Sequence, residues 1–314
     1  MAKKPAKEIR PAPPVRKPPR APINWAPYRK VALHGIAAVA FSAVVGVGFK
    51  ASKDYVEQHI RPAGPPRVTI RNRPAWMNDT LAARITGSVR AYVAAPASDT
   101  SLLQADAQTL SVDPWVKRVR GVRRVYDQQP GDTIEIDAEF RAPVALVRER
   151  DNYWYVDAEG VRLPEKLSAE QAGQLIDAGR SMRFRIIEGA AEPPIAAGLP
   201  WPGGDVQAGI EMIALLADKP YADQIVKIDV SNFNGRVNPN ESQLNLITRY
   251  GTEVRWGQPP SATAFFVEQR VNRKLEYLQQ ARQQTGRVDM NLQWIDLRFD
   301  NPTVPDARGR ARTN

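Results

Sequence analysis

VALHGIAAVAFSAVVGVGF, residues Val31 to Phe49, is a run of nineteen residues with no formally charged side chain and only His34 and Ser42 clearly polar. At about 1.5 Å of rise per residue, a helix of this length matches the hydrocarbon core of a bilayer. The thirty residues before it hold nine Lys or Arg against a single acid, Glu8. That excess predicts a cytoplasmic N-terminus, with everything beyond Phe49 on the far side of the membrane. A cleaved signal peptide is the competing reading. Three features favour a retained anchor: the apolar run exceeds the usual ~7–15 residue core of a signal peptide, the basic region is long, and no clear A-x-A site precedes Lys50. Trp25 and Tyr28 stand where amphipathic aromatics settle at an interface. Ala38, Ser42 and Gly46 recur every fourth position, which puts small residues on one helix face and would let a second helix approach closely. Small residues are also simply common in membrane helices.

The chain has 314 residues and a net charge of +10, of which the first thirty residues carry +8. The high isoelectric point therefore describes a tail. With eight prolines and few apolar residues, residues 1–30 read as a disordered basic segment. Its nearest partner is the anionic inner leaflet, which ranks ahead of nucleic acid because it needs no further assumption. About 250 residues follow the anchor and its short connector, enough for one large domain or two small ones. There is no cysteine, so neither a disulfide nor a thiolate site is available.

Residues 50–66 begin as a helical continuation and end in a Pro/Gly break, which reads as a juxtamembrane linker. A short β-type run, Arg67 to Ile70, comes next. Leu81, Ile85, Val89 and Val93 fall four apart and predict one helix from Asp79 to Val93. A second helix is expected over Ser101 to Leu110, capped by Asp99 or Thr100 and ended by Pro114. Lys117 to Tyr126 is basic and β-branched, with a bulge at Gly121 needed to keep Val119, Val122 and Val125 in register. A turn over Gln128 to Asp132 leads to clean alternation. Ile134, Ile136, Ala138 and Phe140 share one face and Glu135, Asp137, Glu139 and Arg141 the other. Lys117, Arg118, Arg120, Arg123 and Arg124 would then face Glu135, Asp137 and Glu139, so that cross-strand charge pairing accounts for them without an acidic partner.

Further on, Tyr153 to Leu163 predicts a hairpin around Asp157 to Gly160, and Met182 to Ile187 a short strand. Val206, Ile210, Ile213 and Ala217 mark a helix closed by Pro220. Val226 to Val230 is a strand, and Leu244 to Trp256 a hairpin turning at Tyr250-Gly251. Val267, Val271, Leu275 and Leu278 give a last helix its apolar stripe, with Arg270, Arg273, Lys274 and Glu276 on its other faces. The final strand, Trp294 to Phe299, puts Ile295, Leu297 and Phe299 on one face and Trp294, Asp296 and Arg298 on the other.

These segments in this order resemble the FtsQ/DivIB family of bacterial cell-division proteins. The resemblance rests on Asp113-Pro114-Trp115-Val116, Val122-Arg123-Arg124, Ile134 to Ile136, Arg141-Ala142-Pro143-Val144-Ala145, Val156-Asp157-Ala158-Glu159-Gly160, Ile228-Asp229-Val230-Ser231, the hairpin Leu244 to Gly257, and Trp294-Ile295-Asp296-Leu297-Arg298-Phe299. It implies an α+β protein with an N-terminal transmembrane helix over residues 31–49 and a small POTRA domain (β-α-α-β-β) over 67–147. A mostly antiparallel β-domain with flanking helices would fill 148–300, leaving 301–314 as a C-terminal tail. It further implies a single-pass protein of the inner membrane, with partners of the FtsB and FtsL kind. A partner strand would add to the terminal edge strand at Asp296, Leu297, Arg298 and Phe299, extended by Asn301 and Val304. Without the family, an interior position for Trp294 to Phe299 is equally open.

No catalytic constellation is legible. His34 lies in the apolar span and His59 in its linker, so neither can serve a Ser-His or His-metal site in the folded part, and there is no phosphate-cradling loop. We expect a non-enzymatic scaffold of septum assembly with no cofactor, no metal and no small-molecule substrate. The alternative is an envelope chaperone or transport component whose POTRA domain holds unfolded or β-rich clients.

Overall fold

The computed structural model describes residues 26–59, 66–90, 100–125, 133–177, 184–262, 268–305 and 311–313. Outside these lie most of the basic tail, the end of the linker, Asp99, the turn over Gln128 to Asp132, Met182, and the outer members Val93 and Val267 of two predicted apolar stripes. The chain divides into two units, 1–61 and 62–314.

The described residues of the first unit form one helix, α1 (Ala26–His59). Its stretch Val31–Tyr55 is long and apolar enough to cross a membrane. The helix runs past Phe49 as the sequence after Lys50 predicts, and it carries both histidines.

The second unit opens with β1 (Arg67–Ile70), α2 (Asp79–Ser88), α3 (Ser101–Ser111), β2 (Val116–Val125) and β3 (Thr133–Phe140). The three strands form a sheet in the order β1-β3-β2, with β1 parallel and β2 antiparallel to β3. The Asn78 side chain caps α2 by accepting from the Leu81 N–H. This helix is shorter than its apolar spacing predicts. The Ser88 hydroxyl bonds back to the Ile85 carbonyl and Val89 turns extended, yet Val89 still reaches the core. Thr100 stands at the N-cap of α3 but makes no side-chain cap. The β2–β3 register slips between Val119 and Gly121, as the valine spacing requires, and again between Val116 and Arg118. Ile134, Ile136 and Phe140 pack against Ile85, Leu110 and Trp115. The opposite face carries Glu135 and Asp137.

After Arg141-Ala142 the chain changes sheet. β4 (Pro143–Glu149), β5 (Asn152–Asp157), β6 (Arg162–Leu167), β7 (Ile186–Glu188), β8 (Ile225–Asp229), β9 (Leu244–Thr248), β10 (Glu253–Gly257), β11 (Trp294–Asp296), β12 (Thr303–Pro305) and β13 (Ala311–Thr313) make one ten-stranded, mostly antiparallel sheet in the order β13-β12-β11-β10-β9-β8-β7-β4-β5-β6. The pairings β4–β7, β7–β8 and β10–β11 are parallel. Each parallel pair needs a crossover, and each crossover contains a helix: α4 (Ala169–Asp177) between β6 and β7, α5 (Asp205–Leu216) between β7 and β8, and α6 (Val271–Thr285) between β10 and β11.

The middle of this sheet is covered on both faces. Ala145 and Val147 of β4 join the core beneath α5, while Leu146 joins Ala172 of α4 and Phe184 on the other side. Helix α5 sits so close that a Cβ on Gly209 would stand 2.9 Å from Ile187. The small sheet is fastened to β6 by Leu163, which belongs to its core, and by Glu165, whose carboxylate accepts from Trp115 Nε1 (2.9 Å) and Arg84 (2.8 Å).

Candidate functional site

The residues singled out at the C-terminus lie at one end of the large sheet. Parallel pairing of β11 with β10 sets Glu253 against Trp294, Val254 against Ile295 and Arg255 against Asp296. On its other side β11 meets β12 through one pair, Asp296 with Thr303, and β12 then holds β13 through three. Trp294 to Asp296 is therefore an interior strand and not the terminal edge strand that the resemblance implies. The outermost position belongs to β13.

The expected strand from Trp294 to Phe299 stops at Asp296 for a local reason. The Asp296 carboxylate accepts from the Arg298 backbone N–H (3.1 Å) and from its guanidinium at Nε (3.0 Å) and Nη2 (2.8 Å), which closes a turn over Leu297. Arg298 also donates to the Asn240 carbonyl (2.7 Å), and its own carbonyl accepts from the Gln269 N–H (2.6 Å). Both charges are thus spent inside the chain.

Leu297 is 1 % exposed, and its N–H donates to the Arg255 carbonyl (2.9 Å). Val304 is likewise buried and belongs to the large core. Phe299, expected on the same face as Ile295 and Leu297, is instead 48 % exposed with the Arg298 guanidinium over its ring. Asn301 is exposed as well. Of the six named residues, only Phe299 and Asn301 present substantial surface.

The chain matches no protein-family model and no curated protein. What the site can do has to be read from its own geometry. A single backbone pair between β11 and β12 and a three-residue outer strand form the most weakly laddered end of the sheet. The outer edge of that end belongs to β13, and the exposed Phe299 lies in the segment that joins β11 to β12.

On α1, Ala38, Ser42 and Gly46 are all exposed, and nothing lies within 4 Å of a Cβ built on Gly46. Their four-residue spacing keeps them along one side of the helix.

A separate cleft of about 610 Å³ is lined by Arg148, Glu149, Glu188, Trp201 and Asp229, among others. Its charges are largely taken: Glu188 faces Lys227 at 3.3 Å and Arg148 at 3.7 Å, and Glu149 accepts from Trp154 Nε1.

Sequence reasoning missed the buried ion pairs that hold this unit's loops. Lys274, expected on an outer face of the last helix, is 3 % exposed. It donates to the Trp256 carbonyl (2.5 Å) and to Glu268 (2.9 Å), and burial pulls its pKa below the usual lysine value against the opposing pull of Glu268. The Glu268 carboxylate lies where a Cβ on Gly257 would stand, and Gly257 has φ +101°. The buried side of α6 runs through Lys274, Leu278 and Ala281. That i, i+4, i+7 spacing was the available signal.

Proposed function

We propose that this chain is a single-span scaffold of bacterial cell division, of the FtsQ/DivIB kind. The basic tail lies in the cytoplasm against anionic lipid, the apolar helix crosses the inner membrane, and residues 62–314 stand outside the cytoplasm. The small sheet is read as a POTRA domain and the large sheet as the β-domain. Partners of the FtsB and FtsL kind dock by strand addition at the C-terminal end of the large sheet. The observation that carries this reading is the element order β-α-α-β-β, followed by a ten-stranded sheet whose C-terminal end is held by few backbone pairs. Phe299 and Asn301 supply the side chains a partner would meet. Leu297, buried and bonded to β10, holds the end of the strand in place.

The test is affinity co-purification of the tagged full-length protein from gently solubilised membranes, beside Phe299→Ala. The half-exposed ring can be removed without opening the core, so circular dichroism should not change. Loss of small single-pass proteins from the variant alone is the expected result. Equal retention of all co-purifying proteins, or retention of unfolded clients by both forms, would reject the site.

A further inference from the structure

The cleft of about 610 Å³ has a wall that its own chain leaves unsatisfied. Strands β4, β7 and β8 run parallel, so Arg148, Glu188 and Asp229 come together at their carboxyl ends, with Glu188 directly across from Asp229. Open sheets take ligands beyond the carboxyl ends of their parallel strands, where the departing loops leave a crevice. The volume falls in the ordinary range for a small-molecule site. Trp201 lines the cleft and is 7 % exposed, yet its indole N–H is buried without a hydrogen-bond partner. A buried donor left unpaired destabilises the fold, so an acceptor brought by a ligand would be bound at a gain.

The charges that the chain does not use have a direction across this cleft. Glu149 is held by Trp154, and Glu188 by Arg148 and Lys227. Asp229 gives one oxygen to the Ser231 N–H (2.8 Å), and its other oxygen accepts from no described residue. Arg150, exposed in the turn after β4, and Glu192, exposed in the loop after β7, make no ion pair or side-chain hydrogen bond among the described residues. The free cation therefore stands on the β4 side and the free carboxylates on the β7 and β8 side. In the order β8-β7-β4 these are two strand spacings apart, about 9–10 Å. A single amino acid is too short to reach both. At roughly 3.3–3.6 Å per residue, an extended peptide of about three residues spans the distance. We propose that the cleft binds a short peptide of about three residues with both ends unblocked. Its terminal ammonium meets Asp229 and Glu192, its terminal carboxylate meets Arg150, and a peptide carbonyl supplies the acceptor that the Trp201 N–H lacks. This site lies on β4, β7 and β8 and does not depend on what docks at the C-terminal end of the sheet.

The test uses the full-length protein in phosphatidylcholine nanodiscs, with trialanine as the probe and its N-acetyl and C-amide forms as controls. Isothermal titration calorimetry reads affinity, and the indole N–H resonance of Trp201, assigned with Trp201→Phe, reports the site. Trialanine should bind at millimolar concentration or below and shift that resonance. Each blocked form should bind about tenfold more weakly. The double variant Asp229→Asn/Glu192→Gln keeps the oxygen that the Ser231 N–H needs. It should bind trialanine and the N-acetyl form alike while still discriminating against the C-amide. Arg150→Gln should do the reverse and lose only the discrimination against the C-amide. These opposite, selective losses separate removal of one contact from loss of the fold. Failure of trialanine to bind, an unmoved Trp201 resonance, or variants that weaken all three peptides equally would overturn the proposal. So would equal affinity for free alanine, which would remove the argument from the width of the cleft.

Discussion

The small sheet wears its charges in water, and the large sheet buries them. On the outer face of β1, β2 and β3, Glu135 stands between Arg71 and Arg123, and Asp137 accepts from Arg71 (3.2 Å). The large sheet instead sets Asp205 against Arg236, Lys274 against Glu268, Arg287 against Asp289 and Arg298 against Asp296, with at least one member of each pair almost wholly buried. The solvated ladder is screened and worth little, whereas a buried pair becomes an uncompensated charge when one partner is removed. The same chemistry therefore does two jobs. In the small sheet it keeps a face solvated, and in the large one it pins loops to strand ends.

The largest effect should come from Asp205→Ala. The buried carboxylate accepts from the Val206 N–H (2.8 Å), the Ala191 N–H (2.7 Å) and Arg236 (2.8 Å). Arg236 also donates to the carbonyls of Gly189, Val230 and Ser231, so one node ties the segment after β7 to the segment after β8. Its loss should cost about 3 kcal/mol. In a unit of this size that is a fall in Tm of about 9 °C by calorimetry. A change below about 1 kcal/mol would mean that burial adds nothing to this pair.

Lys274→Met should cost less, about 1–2 kcal/mol, because the same substitution that orphans Glu268 also removes the penalty of burying a cation. Its pH dependence is the sharper readout. The folded pKa lies below 10.5. Between the folded value and 10.5 the unfolded chain therefore holds a proton that the folded chain has released. The contribution of this group to stability rises with pH across that window. Below it the group is charged in both states and the contribution is flat. Urea denaturation at a series of alkaline pH values should show this rise in the native protein relative to the variant. Parallel curves would show that Lys274 is not the titrating group.

The contrast between the sheets also explains what was legible beforehand. A sheet with one wet face prints its fold as alternation, and β1 and β3 were readable from Arg67 to Ile70 and from Ile134 to Phe140. β4 is buried on both faces, so Ala145, Leu146 and Val147 carry no alternation, and its parallel place beside β7 left no periodic signal. Helix α4 was missed although Ser168 and Gln171 cap it reciprocally, the Ser168 N–H donating to the Gln171 side chain and the Gln171 N–H to the Ser168 hydroxyl. The apolar stripe of α6 was found, but its rotation was not, because a buried lysine looks like a surface residue until its partner is known. At the C-terminal site, alternation through Phe299 predicted a longer strand. The Asp296–Arg298 clasp that ends it is a side-chain interaction which hydrophobic period does not encode.

The smallest effect should be Arg123→Ala. This arginine makes the best-formed pair on the outer face, donating through Nε (2.9 Å) and Nη2 (2.6 Å) to one oxygen of Glu135, so it is the fairest test of whether a solvated pair can matter. Its side chain is more than half exposed, and Glu135 keeps Arg71 as a second cation at 4.0 Å when Arg123 is gone. The substitution therefore leaves no buried orphan, and chemical denaturation should place the variant within about 0.5 kcal/mol of the native protein. A loss nearing that of Asp205→Ala would erase the distinction between the two sheets. It would also mean that the Arg123–Glu135 pair is committed to holding the small sheet together.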